Sequence, residues 1–92
     1  MEFEWDENKS QNNYKKHGIR FEEAQTVFLD SKAIEFFDEN HSESEDRYIR
    51  LGYSRHNNIL LIVFCERVVN IIRIISARKA TTLERRLYEK RV

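Results

Sequence analysis

Two apolar runs separated by only two residues constrain this chain more than any other feature. Residues 59–65 are apolar without a break, and residues 68–76 nearly so, interrupted by Asn70, Arg73 and the closing Ser76. Only Glu66 and Arg67 lie between them. Short runs rich in Ile and Val read as β-strands. So short a link makes them an antiparallel hairpin, because a parallel pair needs a crossover of about a dozen residues or more. Strands that lack polar alternation need cover on both faces. The hairpin therefore belongs to the middle of a layered fold.

The flanking segments supply the layers. Phe3 and Trp5 alternate with acids and predict a short leading strand. Asp6 suits a helix N-cap, and Gly18 suits the position just past a helix that ends in Lys15, Lys16 and His17. That helix is very polar, with Tyr14 as its main apolar anchor. Phe21, Ala24, Val27 and Phe28 fall at helical spacing and predict a second helix ending near Asp30. Residues 33–37 and 46–53 read as two further strands, and Arg55, His56, Asn57 and Asn58 form a turn before the central hairpin. Thr81 and Glu84 fit a capping box, opening a last helix whose Ala80, Leu83 and Leu87 share one face. The expected fold is α+β in a single domain over residues 1–92. Two N-terminal helices pack on a four-stranded antiparallel sheet, with a short N-terminal strand and a C-terminal helix. That last helix is a narrow cover for the second sheet face, so a partner chain or a second copy is expected to complete it.

Composition excludes several classes. The 92 residues are 40% hydrophobic and 35% charged, which suits a folded globular domain. No run approaches the ~18 apolar residues of a membrane span, and no signal-peptide pattern is present. Cys65 is the single cysteine and cannot form an internal disulfide, in keeping with a reducing cytoplasm. Net charge is zero but unevenly spread. Residues 35–46 carry six acids and no Lys or Arg, whereas residues 65–92 carry eight Lys or Arg against three acids. The basic end can meet phosphates while the acidic segment repels them elsewhere.

Several side chains could carry chemistry. Lys9, Asn13 and Lys16 project from one helix face beside His17, forming either a phosphate-facing stripe or an ordinary solvated face. Arg73 emerges among apolar neighbours, while Ser76, Arg78 and Lys79 cluster where the strand exits. A desolvated guanidinium must be answered, either by a phosphate gripped bidentately or by a carboxylate on the adjacent strand such as Glu66. Arg47 adds positive charge, and Arg50 and Arg55 read as solvated. Tyr88 lies on one side of the last helix with Glu84, suited to a phosphate, a base or simple packing. His41 with Glu43, Glu45 and Asp46 lacks recognisable metal-ligand spacing. His56 and Cys65 are assigned no role.

Taken in order, these segments resemble the BrnT family of bacterial type II toxins, small RelE-like ribonucleases encoded with an antitoxin. The resemblance rests on Trp5-Asp6, Lys9, Asn13, Lys16-His17-Gly18, Phe21-Glu22-Glu23-Ala24 and Val27-Phe28-Leu29-Asp30. It continues through His41-Ser42, Glu45, Arg47, Gly52, the run from Arg73 to Arg78, Ala80, Glu84 and Tyr88. Ser31-Lys32 departs from it, since the family often has a Pro there.

The resemblance implies a RelE-like fold and RNA cleavage that inhibits translation and halts growth until a cognate DNA-binding antitoxin, BrnA-like, sequesters the toxin. It also implies a toxin–antitoxin pair that represses its own operon, touching operator DNA through the antitoxin. RNA can be cut without a metal or other cofactor when its own 2′-OH attacks the adjacent phosphate. Arg73 and Arg78 are expected to converge on one hollow and stabilise the phosphorane, with His17 and Tyr88 as the proton-transfer candidates. Ser76 would donate a hydrogen bond, and Lys9, Lys16, Arg47 and Lys79 would hold the RNA backbone. The competing readings are a non-catalytic module that grips RNA or a protein through its basic face, and a homodimeric scaffold with Arg73 salt-bridged internally.

Overall fold

The computed structural model describes residues 1–90. Its elements are β1 (Glu2–Glu4), α1 (Glu7–His17), α2 (Phe21–Gln25) running into a 3-10 turn (Thr26–Leu29), and β2 (Ile34–Phe37). A second 3-10 turn (Glu39–His41) precedes β3 (Tyr48–Tyr53), β4 (Ile59–Val68), β5 (Ile71–Lys79) and α3 (Thr82–Lys90). The caps follow the sequence closely. Asp6 accepts from the backbone N–H groups of Asn8 and Lys9, and Gly18, at φ 74°, closes α1 through its N–H to Tyr14 O. At the start of α3, Thr81 Oγ1 accepts from Glu84 N while a Glu84 oxygen accepts from Thr81 N, a complete capping box.

The sheet is five-stranded and mixed, in the order β1-β5-β4-β3-β2, rather than four antiparallel strands. β2 to β5 are antiparallel neighbours, but β1 joins the free edge of β5 in parallel, with Glu4 opposite Arg73. The central hairpin also turns later than expected. β4 runs on to Val68, and the chain reverses at Val69 and Asn70. Asn70 adopts φ 68°, a left-handed conformation that Asn tolerates and β-branched residues do not, and its N–H is held by Glu66 Oε2 at 3.0 Å.

Helices cover one sheet face almost completely. Ile19, Phe21, Ala24 and Val27 pack there on Leu60, Ile62, Phe64, Ile72, Ile74 and Ala77. The opposite face is covered only at one end, where Tyr88 of α3 packs with Leu51, Ile59 and Leu61. α3 turns Tyr88 inward while Leu83, 75% exposed, and Leu87 face solvent, so the expected Ala80–Leu83–Leu87 stripe is not what seals the helix to the sheet. Arg50 is not solvated either. It spans from β3 to the first 3-10 turn, donating to Val27 O, Asp30 O and Glu35 Oε2. Gly52 allows that turn to lie close, since a Cβ there would sit 2.8 Å from Ala33 Cβ and 2.9 Å from Asp30 Oδ2.

One side chain joins α1 to the sheet. β1 covers only the first three residues of β5, so the edge beyond Arg73 is open. Asn13 fills it in the manner of a strand. Its amide donates to Ala77 O and Ile19 O, both at 2.8 Å, and its carbonyl accepts from Ala77 N at 3.1 Å. Asn13 is thus a buried clamp and not part of a phosphate-facing stripe; Lys9 and Lys16 remain exposed. Asn13→Ala should lower stability by about 2–4 kcal/mol, because buried backbone groups lose their partners. The measurement is a urea midpoint that falls with an unchanged slope; a midpoint within experimental scatter of wild type would contradict the clamp.

Candidate active site

The face left open by α3 contains a hollow of about 390 Å³, floored by Ile49, Leu61, Val63 and Ile75 and bordered by Ala77. His17, Asp38, His41, Arg47, Ser76 and Arg78 stand around it. The local structure explains how residues from four segments meet. β5 carries a bulge: Ser76 faces Val63 but Ile74 faces Phe64, so Ile75 is an extra residue. Arg73 and Arg78 are five apart, and strict alternation would put them on opposite faces. The extra residue restores Ser76 and Arg78 to the open face, beside Val63 and Leu61. α1 reaches the same place from the other side, because Asn13 pins it to Ala77 and His17 follows one turn later.

Arg78 is fixed by a two-pronged ion pair. Its Nη1 and Nη2 donate to Glu84 Oε1 and Oε2 at 2.8 and 2.9 Å, and Nη1 also donates to Lys79 O. The bond to Arg78 holds the Glu84 carboxyl below its usual range against the opposing effect of burial, and Glu84 in turn raises Arg78. A guanidinium has five N–H donors, so the edge formed by Nε and the second Nη2 hydrogen stays available for an anion. Arg47 lies across the hollow. Its Nε is buried without a hydrogen bond among the described residues, 3.8 Å from Glu45 Oε1.

His41 presents the other chemistry. Its Nδ1 lies 3.2 and 3.1 Å from the two oxygens of Asp38, which is itself well shielded. A carboxylate only accepts, so Nδ1 carries the hydrogen and Nε2 is the free nitrogen. The Asp38 turn is braced from behind, since Ser42 Oγ donates to Asp38 O and accepts from Arg47 N. From sequence, Asp38 has no assigned role, and His41 stands only beside Glu43, Glu45 and Asp46 and in the family resemblance, with no catalytic part. The signal was the Asp-x-x-His spacing, which one 3-10 turn converts into contact.

Two expected catalytic residues lie elsewhere. Arg73 shares the open face but pairs with Cys65, four residues from Leu61 opposite Arg78, roughly 13 Å along the strand. It donates to Glu4 Oε2 at 3.1 Å, a carboxylate it shares with Arg67. The carboxylate that answers its charge is on β1 and not at Glu66. The expected convergence of Arg73 and Arg78 therefore does not occur. Tyr88 is buried under α3, its hydroxyl donating to Asp30 Oδ2 at 2.6 Å. Burial and the Asp30 carboxylate push its phenol up to about 12. Burial works against the Asp30 charge, but hydrogen bonds from Tyr88 and from the backbone of Tyr53 and Lys32, with Arg50 nearby, leave its carboxyl below the ordinary range. Lys79 is exposed at the end of β5, outside the hollow's lining.

A family model described as the ribonuclease toxin BrnT of a type II toxin–antitoxin system matches residues 5–84. The fold is similar to the crystal structure of the Brucella abortus ribonuclease toxin BrnT, with a TM-score of 0.68 and 26% sequence identity. That match covers 89% of this chain and 99% of the other. A comparison with curated proteins gave no match.

Tyr88→Phe should cost about 1.5–3 kcal/mol, the worth of a hydrogen bond to a charged group. The folded protein holds the Tyr88 proton more tightly than the unfolded chain, so this stabilisation is intact below pH 10 and is lost as pH rises from 10 to about 12. Urea midpoints across that range should decline less steeply in the variant. Equal alkaline slopes in both proteins would refute the assignment.

Proposed function

The chain belongs to the BrnT family of type II toxins, and from that premise we propose that its hollow cuts RNA by metal-independent acid–base catalysis. The observation that carries the reading is the meeting of two imidazoles and two guanidiniums around one open cavity. Imidazole can both take and give a proton near neutral pH, and preorganised cations answer the charge that builds up on a phosphorane. His41, oriented by Asp38, takes the proton of the 2′-OH as that oxygen attacks phosphorus, and Asp38 stabilises the imidazolium that forms. The P–O5′ bond breaks, and His17 gives its proton to the departing 5′-oxygen. The products are a 2′,3′-cyclic phosphate and a free 5′-hydroxyl. Arg78 and Arg47 hold the non-bridging oxygens, and Ser76 donates a further hydrogen bond. Lys9, Lys16 and Lys79 draw the backbone in from the rim.

Arg73 becomes a peripheral contact in this scheme and Tyr88 a structural residue. Cleavage of cytoplasmic RNA would halt translation and growth. A type II toxin is opposed by a protein antitoxin, and the partly covered sheet face with the exposed Leu83 and Leu87 of α3 is apolar surface such a partner could bury. A BrnA-like antitoxin that binds DNA would let the complex repress its own operon, with this chain as co-repressor.

The test is cleavage of a single-stranded RNA by purified variants shown to be folded. His41→Ala should lose about 10²–10⁴-fold in rate, and Arg78→Ala on the order of 10²-fold. Arg73→Ala should lose less than about tenfold, as expected for a contact away from developing charge. Undiminished cleavage by His41→Ala, or a greater loss with Arg73→Ala than with Arg78→Ala, would overturn the assignment. RNA that shifts on a gel without being cut would favour the non-catalytic binding module.

A further inference from the structure

β2 is one of the two edge strands of the sheet and carries two adjacent exposed Phe residues, Phe36 at 42% and Phe37 at 44% exposure. Edge strands usually display charge or are kept short to discourage pairing with other chains, so two bare aromatic rings there need a reason. Phe37 has one. Its ring lies edge-on to Tyr48 at 5.6 Å, and Tyr48 stacks on Phe64 of the helix-covered core. Phe36 points to the other side. It stands opposite Ile49, and Ile49 stands opposite Val63, both of which floor the hollow. Asp38, which holds His41, lies two residues further along the same face. Among the described residues Phe36 meets no other ring.

We propose that Phe36 is a stacking platform for a nucleobase of a single-stranded RNA whose backbone crosses the hollow. The proposal rests on the ribonuclease reading and adds to it a substrate class. Arg47 and Arg78 can grip phosphate oxygens but carry no preference for a base. In a single strand the bases stand beside their phosphates, and an aromatic ring flanking the Arg47 and Arg78 guanidiniums, each answered in part by a carboxylate, accepts any of them through its π-face. A base already paired in a duplex presents no free face, so the arrangement selects unpaired RNA.

The probe is a single-stranded oligonucleotide of 2′-O-methyl riboses, which cannot be cut, carrying the fluorescent base 2-aminopurine. Wild-type protein should bind it and quench its fluorescence. Phe36→Ala and Phe36→Leu should bind roughly tenfold or more weakly and lose the quench; the Leu variant keeps the apolar bulk should the Ala variant fail to fold. Phe36→Trp should retain both properties, and Phe37→Ala, equally exposed on the opposite face, should behave as wild type. On a strand of abasic residues, wild type and Phe36→Leu should bind alike. Wild-type quenching by Phe36→Leu, or the same loss of affinity on the abasic strand, overturns the proposal. Loss of antitoxin rescue in Phe36→Leu with RNA binding intact would assign the ring to the protein partner and overturn it equally. Cutting of ordinary RNA is scored in parallel. Quenching by a wild-type protein that cuts nothing would refute the ribonuclease reading alone, and cutting with no dependence on Phe36 would refute this proposal alone.

Discussion

The contact between the Asn13 amide and the backbone of Ala77 fixes where α1 meets the sheet, and with it one margin of the hollow. β1 is too short to cover β5, and the exposed edge would otherwise leave buried N–H and C=O groups unanswered. Asn13 answers them from a helix. In doing so it fixes the end of α1 at the margin of the sheet, and His17 reaches round to the side that the helices do not cover. A polar helix with little apolar surface of its own can dock firmly because this one residue supplies strand-like hydrogen bonds.

The bulge at Ile75 works together with that clamp. Ala77 is turned into the helix-side core, where it meets Ile62, while its neighbours Ser76 and Arg78 face the hollow. The capping box of α3 then gains a second duty, since Glu84 both closes the helix N-terminus and grips Arg78. A single carboxylate thereby ties the orientation of the guanidinium to the presence of α3. The two sheet faces differ: one is sealed by α1 and α2, and the other, covered by α3 at one end, carries the charged groups and imidazoles of the hollow.

Much of this was legible in the sequence because it depends on local chemistry. Asp6, Gly18, Thr81 and Glu84 mark helix ends through bonds made within a few residues. The apolar runs mark the central strands for similar reasons. What escaped depends on long-range pairing. The parallel docking of β1 on β5 joins Glu4 to Arg73 across almost the whole chain, and no pattern within either segment announces it. The same pairing supplies the carboxylate that a half-buried guanidinium requires, at a register that keeps Arg73 away from the hollow. The bulge reversed the expected facing of Ser76, and Asn13 passed for a surface residue because its burial is created by β5. His17, Arg47, Ser76 and Arg78 nonetheless surround one cavity, joined by Asp38 and His41 from a segment whose Asp-x-x-His spacing becomes a contact only through its 3-10 turn. The helix spacing of Tyr88 suits packing as well as catalysis, and its bond to Asp30 with its burial makes it a packing residue.

In the proposed reaction this chain's own side chains supply the acid, the base and the charge needed to break an RNA phosphodiester. The most direct measurement is the chemistry of the RNA ends left by purified wild-type protein in the presence of EDTA. Cutting should be undiminished and leave 2′,3′-cyclic phosphate and 5′-hydroxyl ends. Products bearing 5′-phosphates, or cutting that returns only when a divalent ion is restored, would contradict it.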